Sequence, residues 1–328
     1  MPEERAALAA EAFIYGFPLV SDLGEVGRFT RTGIGGVPAA PFNRFGHASQ
    51  LAGPEATFVS INNDTVYSIA QVDLSGGPVR LDVPDTAGRY YVLQFVDAWT
   101  NNFAYVGQRA TGTKQNGWNL TYHIFDYNLD FFEIGALDDP TWKAAGGPQQ
   151  RYLLRAGAAR GGLWGNHGYE AAYAMAYRDA DGNQLNGGSR YQLQFGQTPP
   201  VTAFWSVTMY DTPDFFLVAN PIGRYSIGDR TPGLHTADDG SVTIFMQRDE
   251  PQSPQERANW LPTPDGDFRP ILRMYERRGR LRRTVRTPPD HQEPLIPPGS
   301  YQITVARDCL PGAAVHRPCF AQASDSRW

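Results

Sequence analysis

The stretch VPDTAGRYYVLQFVDAWTNNFAYVGQR, Val83–Arg109, decides how the rest of the chain is read. Asp85-Thr86-Ala87-Gly88 has the composition of a turn. Arg89–Val96 then gathers Tyr90, Tyr91, Val92, Leu93, Phe95 and Val96 within eight residues. Apolar side chains fall on both alternating faces, so this strand is expected to be covered on both sides. It runs into a polar, aromatic corner of Asp97, Trp99, Thr100, Asn101 and Asn102, and a second strand, Phe103–Gln108, leaves that corner. A regular scaffold that delivers such a corner is how β proteins present a site.

Outward from this stretch, strand signals recur about every ten residues. Val66–Leu74 and Val79–Val83 precede it. Tyr191–Phe195, Val201–Tyr210, Phe215–Ala219, Ser241–Gln247 and Phe268–Tyr275 follow it. Asp238-Asp239-Gly240 reads as a hairpin turn that puts Val242, Ile244 and Met246 on one face. The spacing predicts a mainly β chain, with a sandwich in the first half and a second sandwich or jelly roll in the second. Glu3–Tyr15 is expected to be a helix, with acids in its first turn and Gly16 and Pro18 as its stop. Arg151–Ala159 and His167–Arg178 fit a helix or an extended run equally. Three segments follow: 1–146, 147–276, and an arginine- and proline-rich stretch over 277–328. That last stretch has no long amphipathic pattern except Ser300–Val305. It is expected to be poorly ordered, and cutting after Glu276 is expected to leave the fold intact. Its abrupt onset suggests a shifted reading frame.

Composition narrows the function. The chain has 328 residues, 34 glycines, 26 prolines, 12% aromatics and a net charge of −5. No basic stripe lies in the folded region, so nucleic acid is not an expected partner. No uninterrupted apolar run reaches the ~18 residues of a membrane helix, and the acidic N-terminus lacks the basic start of a signal peptide. As written the chain reads as cytoplasmic, or as secreted if the true start lies upstream, with no membrane partner. A homo-oligomer is left open. Cys309 and Cys319, the two cysteines, are expected to lie outside any site. His47, His123, His167 and His235 have no metal-ligand spacing, so neither metal nor cofactor is expected. Asp179–Asn183 resembles the start of a calcium loop but fails at the later ligand positions.

Three groups of residues are candidates for chemistry. Asn62, Asn63 and Asp64 either line a site or satisfy their own turn. Asp97, Trp99, Asn101 and Asn102 combine an acid, an aromatic platform and two amides, as in many polar-ligand sites, or they cap a strand end. Arg224, Tyr225, Asp229 and Arg230 either clamp an anionic group or form an internal Arg–Asp pair. Asp64 and Asp97 are the candidate bases. The expected ligand is a polar small molecule or carbohydrate in a cleft between the two β halves. A non-catalytic structural or assembly module is the alternative.

Longer blocks carry a family likeness. Glu11–Val20, Phe42–His47, Asn63–Ser68 and Val83–Arg109 resemble the domain-of-unknown-function family numbered 1254. Gly161–Tyr173, Ala203–Asp211, Asn220–Arg230 and Asn259–Pro264 resemble its usual partner, family 1214. The resemblance implies an immunoglobulin-like β domain followed by a jelly-roll-like one, and lends no catalytic residues. Two departures stand out. The first domain looks shortened where Gln115 and Asn116 abut, and the pattern ends after Tyr275-Glu276.

Overall fold

The computed structural model describes residues 2–113, 115–120, 148–166, 170–277 and 303–307. They divide into two compact units. One holds Met1–Ile61 and Thr65–Glu170; the other holds Asn62–Asp64 and Ala171–Trp328. Among the described residues the chain is mostly β, as the spacing predicts, with four helices.

In the first unit the longest element is helix α1, Pro2–Thr32. It runs straight through Gly16 and Pro18, so the expected stop at Tyr15 does not occur. Proline inside a helix removes one hydrogen bond and crowds the carbonyl four residues back. Packing of the following turns outweighs that cost: Phe29 is fully buried and Asp22 is 5% exposed. With the stop gone, Glu3–Thr32 is long and apolar enough, by length and composition, to cross a membrane. The expectation that no such segment exists does not hold for this helix.

Among the described residues this unit also holds three two-stranded antiparallel sheets. Phe45–His47 (β1) pairs with Ser68–Ala70 (β2). Val79–Val83 (β3) pairs with Gln115–Leu120 (β6). Val92–Val96 (β4) pairs with Asn102–Gly107 (β5). The β4–β5 hairpin is the stretch quoted at the outset, and all five β4 residues are half-buried, so both its faces are partly covered. A short helix α2, Gln108–Thr111, follows β5. Pro148–Gly162 forms α3, which settles Arg151–Ala159 as helical, and α3 packs on α1. Residues 57–61 form a bend and a turn.

Among the described residues the second unit has two four-stranded sheets. One has the order β10-β9-β13-β7: Ser226–Gly228, Val201–Asp211, Phe268–Arg277 and Ala171–Met175. The other has the order β12-β11-β8-β14: Trp260–Pro262, Val242–Gln247, Tyr191–Phe195 and Ile303–Arg307. Period-2 alternation gives each sheet one apolar face. Trp205, Val207 and Met209 of β9 join Phe268, Leu272 and Met274 of β13 in one core. Leu193 and Phe195 of β8 and Val242, Ile244 and Met246 of β11 complete it from the other sheet. Gly228 lets β10 approach β9, because a Cβ there would stand 2.1 Å from the Trp205 carbonyl oxygen. Gly240, at φ +83°, makes the expected hairpin turn into β11. A five-residue helix α4, Pro254–Ala258, is capped by Ser253, whose side chain accepts from the Glu256 N–H.

The arginine-rich region is not wholly outside this architecture. Ile303–Arg307, overlapping the alternating Ser300–Val305, pairs antiparallel with β8 from Ile303↔Phe195 to Arg307↔Tyr191. The expectation is that most of 277–328 makes few core contacts; these five residues nevertheless add an edge strand to the sheet. Cys309, Cys319 and the rest of 278–328 lie outside the described residues.

Candidate functional site

Within the first unit, the Asp97 corner is built by a tight loop. Asp97 Oδ1 accepts from the Trp99 N–H at 2.8 Å and the Asn101 N–H at 2.9 Å, and its Oδ2 accepts from Asn101 Nδ2 at 2.7 Å. Thr100 is left-handed at φ 69°, which closes the turn. The carboxylate is therefore fixed in place, and the capping role is real. The corner nevertheless gathers more charge than a cap requires.

Arg155 of α3 is 7% exposed. It donates to Asn101 Oδ1 at 3.4 Å and stands 5.5 Å from the Trp99 ring centre. Burial pushes its guanidinium below the ordinary value, with the Asp97 charge acting the other way. Tyr15 of α1 packs on Trp99 at 5.3 Å and edge-on against Tyr152 at 4.9 Å, which makes an aromatic shelf. Asp22 of α1 accepts from Trp164 Nε1 at 2.6 Å. Burial, with smaller contributions from the charges of Asp97 and Glu25, raises the Asp22 carboxyl to about 6, against the lowering effect of the Trp164 bond.

Trp164 is itself over-determined. Its φ is 61°, an uncommon value for a residue with a side chain. Gln94 Nε2 donates to its carbonyl at 2.7 Å, and Phe58 packs on its ring at 5.0 Å. Strained backbone held by such contacts clusters at functional sites. Next door, Asn102 Nδ2 donates to the Gly165 carbonyl at 2.6 Å. Its Oδ1 is a buried acceptor with no hydrogen-bond partner among the described residues.

The other candidates meet in the second unit. Asp64 Oδ2 accepts from Ser206 Oγ at 2.8 Å, and the Asp64 carbonyl accepts from Arg230 Nη2 at 2.7 Å. Asn63 Oδ1 accepts from Ser226 Oγ at 3.2 Å. Arg230 stacks on Phe204 at 3.6 Å. Asp229 accepts from the Trp205 N–H at 3.1 Å, and burial raises its carboxyl above the ordinary range. Arg224 and Tyr225 stand apart from this group. Arg224 Nη1 donates to the carbonyls of Arg257, Ala258 and Trp260, and the Tyr225 carbonyl accepts from the Met209 N–H. Neither the expected Arg224–Asp229 pair nor an open anion clamp is present; the loop is pinned to α4 and β12 instead. Among the described residues no three His, Cys, Asp or Glu side chains are grouped to hold a metal ion.

Comparison with known proteins matches these two regions separately. Residues 42–127 match the family model described as protein of unknown function DUF1254, and residues 170–278 match protein of unknown function DUF1214. The chain joins a DUF1254 segment to a DUF1214 segment. The Asp97 corner lies in the DUF1254 match; the whole of the second unit's core cluster lies in the DUF1214 match, and β14 lies beyond it. A crystal structure of the VPA0106 protein from Vibrio parahaemolyticus shares the fold at TM-score 0.55. It has 19% identity and covers 92% of this chain and 99% of that one. An uncharacterized protein from Burkholderia cenocepacia is 17% identical over 46% of this chain and 33% of its own, at TM-score 0.27, and carries no argument. No curated protein matches the chain.

Asp22, Arg155 and Trp164 were not legible as site residues. Asp22 follows the Glu11–Val20 block by two positions, and Trp164 lies inside the Gly161–Tyr173 block. Block membership is a signal for Trp164 alone and does not say which residue of the block matters; Asp22 and Arg155 lie outside the quoted blocks.

Proposed function

We propose that the chain binds a polar small molecule or carbohydrate at the Asp97–Asn102 corner of the DUF1254 segment. Trp99 and Tyr15 supply the aromatic shelf, and Asn101, Asn102 and Arg155 supply polar contacts. The observation that carries this reading is the convergence of Asp22, poised near pH 6, with Asp97 and Arg155 beside a buried acceptor on Asn102. Titratable groups perturbed by burial and by named charges cluster at functional sites. Two carboxyls of unlike environment also suit proton transfer to or from a bound hydroxyl. Asp97 is the base, and Asp22 holds a proton in the same pH range.

The test is a thermal-shift screen of sugars and small carboxylates at pH 6 and 8. A ligand at 100 times its Kd adds about 2.7 kcal/mol to stability. Asp97→Asn keeps the size of the side chain and two of its acceptor contacts, so the free protein is expected to melt close to the parent while the ligand-induced shift disappears. A screen without any shift, or a shift unchanged by Asp97→Asn, favours the reading in which the corner only caps its strands.

A further inference from the structure

Helix α1 carries two apolar faces, and the first unit uses one of them. Pro18, Asp22 and Phe29 are buried and fix the inner face. On the opposite side Phe13 is 69% exposed, Val20 71% and Leu23 52%. At about 3.6 residues per turn these three fall on one line with Ala9, Gly16 and Gly27. Positions 9, 13, 16, 20, 23 and 27 advance by four and three in turn, which is the spacing of a helix–helix seam. The charged residues between the ends of that line, Glu11, Asp22 and Glu25, lie on the inner half of the helix by the same periodicity. Glycine weakens a helix relative to alanine. At Gly16 and Gly24 no described atom lies within 4 Å of the place a side chain would take, so packing inside the unit does not explain either one.

What covers this line is selected by its symmetry and by charge. About position 18 the line maps onto itself in reverse: 9 onto 27, 13 onto 23, and 16 onto 20. In an antiparallel pair Phe13 therefore meets the second copy's Leu23, Gly16 leaves room for its Val20, and Ala9 lies over its Gly27. Such a two-fold contact is self-complementary. Glu3 and Glu4 outweigh Arg5 at the first turn, and Arg31 is the charge of the last turn, so antiparallel pairing brings ends of opposite sign together. A lipid surface suits the helix less well. Interfacial helices carry basic residues beside their apolar face, whereas residues 3–27 hold Glu3, Glu4, Glu11, Asp22 and Glu25 against Arg5 alone.

We propose that α1 pairs antiparallel with α1 of a second copy of this chain along the line from Ala9 to Gly27. The two helices meet over about 27 Å, at 1.5 Å per residue. Contacts of that extent belong to the smaller, reversible interfaces, so the dimer forms and dissociates with concentration.

Sedimentation velocity of the full chain over a concentration series tests this, and a monomer–dimer equilibrium is expected. Val20→Glu sets a carboxylate from each copy near the centre of the seam. It is expected to weaken the dimer at least tenfold while the monomer melts as the parent does, because the position is exposed. Phe13→Lys and Leu23→Glu are each expected to weaken the dimer as well. The double variant is expected to restore it, because the antiparallel register sets the two substitutions against each other; a parallel pair would be weakened further. Co-sedimentation with vesicles of phosphatidylcholine and phosphatidylglycerol tests the lipid surface directly. A chain that stays monomeric at every concentration, a dimer indifferent to Val20→Glu, a double variant no better than either single one, or vesicle capture of a chain that does not dimerise each overturns the proposal.

Discussion

At the scale of the residue, Asp22 carries a charge that its burial disfavours. Its carboxyl ordinarily titrates at 3.8 and is raised to about 6 in the fold. Below pH 4 the folded and unfolded chains both hold the proton. As pH rises towards 6, the unfolded chain releases it first, so stability falls, and above 6 the full cost is present. The difference of about 2 units corresponds to about 3 kcal/mol as an upper figure. Asp22→Asn can still accept from Trp164 and carries no charge. It is expected to raise stability by up to that amount at pH 8 and to change little at pH 4, as read from urea melts at both values. Equal effects at the two pH values would remove the case for a raised carboxyl. The Asp97 corner itself was visible in the sequence, because an acid, two amides and a tryptophan follow directly on a strand. Asp22 was not visible, since its character comes from burial against Trp164, and neighbours in sequence do not report that.

At the scale of the element, local rules located the strands and misjudged two boundaries. Alternation points to β8 and β11, which bury one face and so carry a period of two, while β4 shows instead as a dense apolar run covered on both faces. Helix α1 was cut short on the strength of Gly16 and Pro18, whose local cost is real but is exceeded by distant anchors at Asp22 and Phe29. If that account is right, Pro18 is a cost the helix carries. Pro18→Ala is expected to raise stability by up to ~3 kcal/mol, seen as a higher Tm. A fall in Tm would mean that the proline shapes the helix usefully. The second boundary is Glu276. The family match ends at 278, yet Ile303–Arg307 forms the outer strand on β8. Arginine and proline dominate the flanking composition and masked a short alternation. Truncation after Glu276 leaves β8 with an unpaired edge, which favours association. That truncated chain is expected to be less stable and more prone to aggregate than one ending after Arg307. Identical melting and light scattering for the two would return β14 to the status of a dispensable tail.

At the scale of the whole molecule, chain order and structural membership part company at one place. Asn62–Asp64 lies within the stretch that builds the first unit, yet it belongs to the second. It is held there by side-chain and backbone bonds: Asn63 to Ser226, Asp64 to Ser206, and the Asp64 carbonyl to Arg230. These partners sit on β9, on β10 and just after β10, on the sheet face opposite the apolar core. Asn63 and Asp64 are each 9% exposed. Sequence reading saw Asn62-Asn63-Asp64 as a turn or a site, because both are local ideas; an inserted loop completing another unit has no local signature. The consequence concerns what the second unit needs in order to fold. A fragment beginning at Ala171 has the strands of both sheets but lacks Asn63 and Asp64, so Ser206 and Ser226 lose acceptors and Arg230 loses its carbonyl. Each lost bond costs about 0.5–1.5 kcal/mol, and more where a buried group finds no water in exchange. The fragment 171–328 is therefore expected to show weaker amide-exchange protection in β9 and β10 than the same strands show in the full chain. Asp64→Ala in the full chain is expected to shift those strands in the same direction by a smaller amount. Full protection of β9 and β10 in the fragment would show that the second unit is complete without the loop, and would leave Asp64 free to be read as a site residue alone.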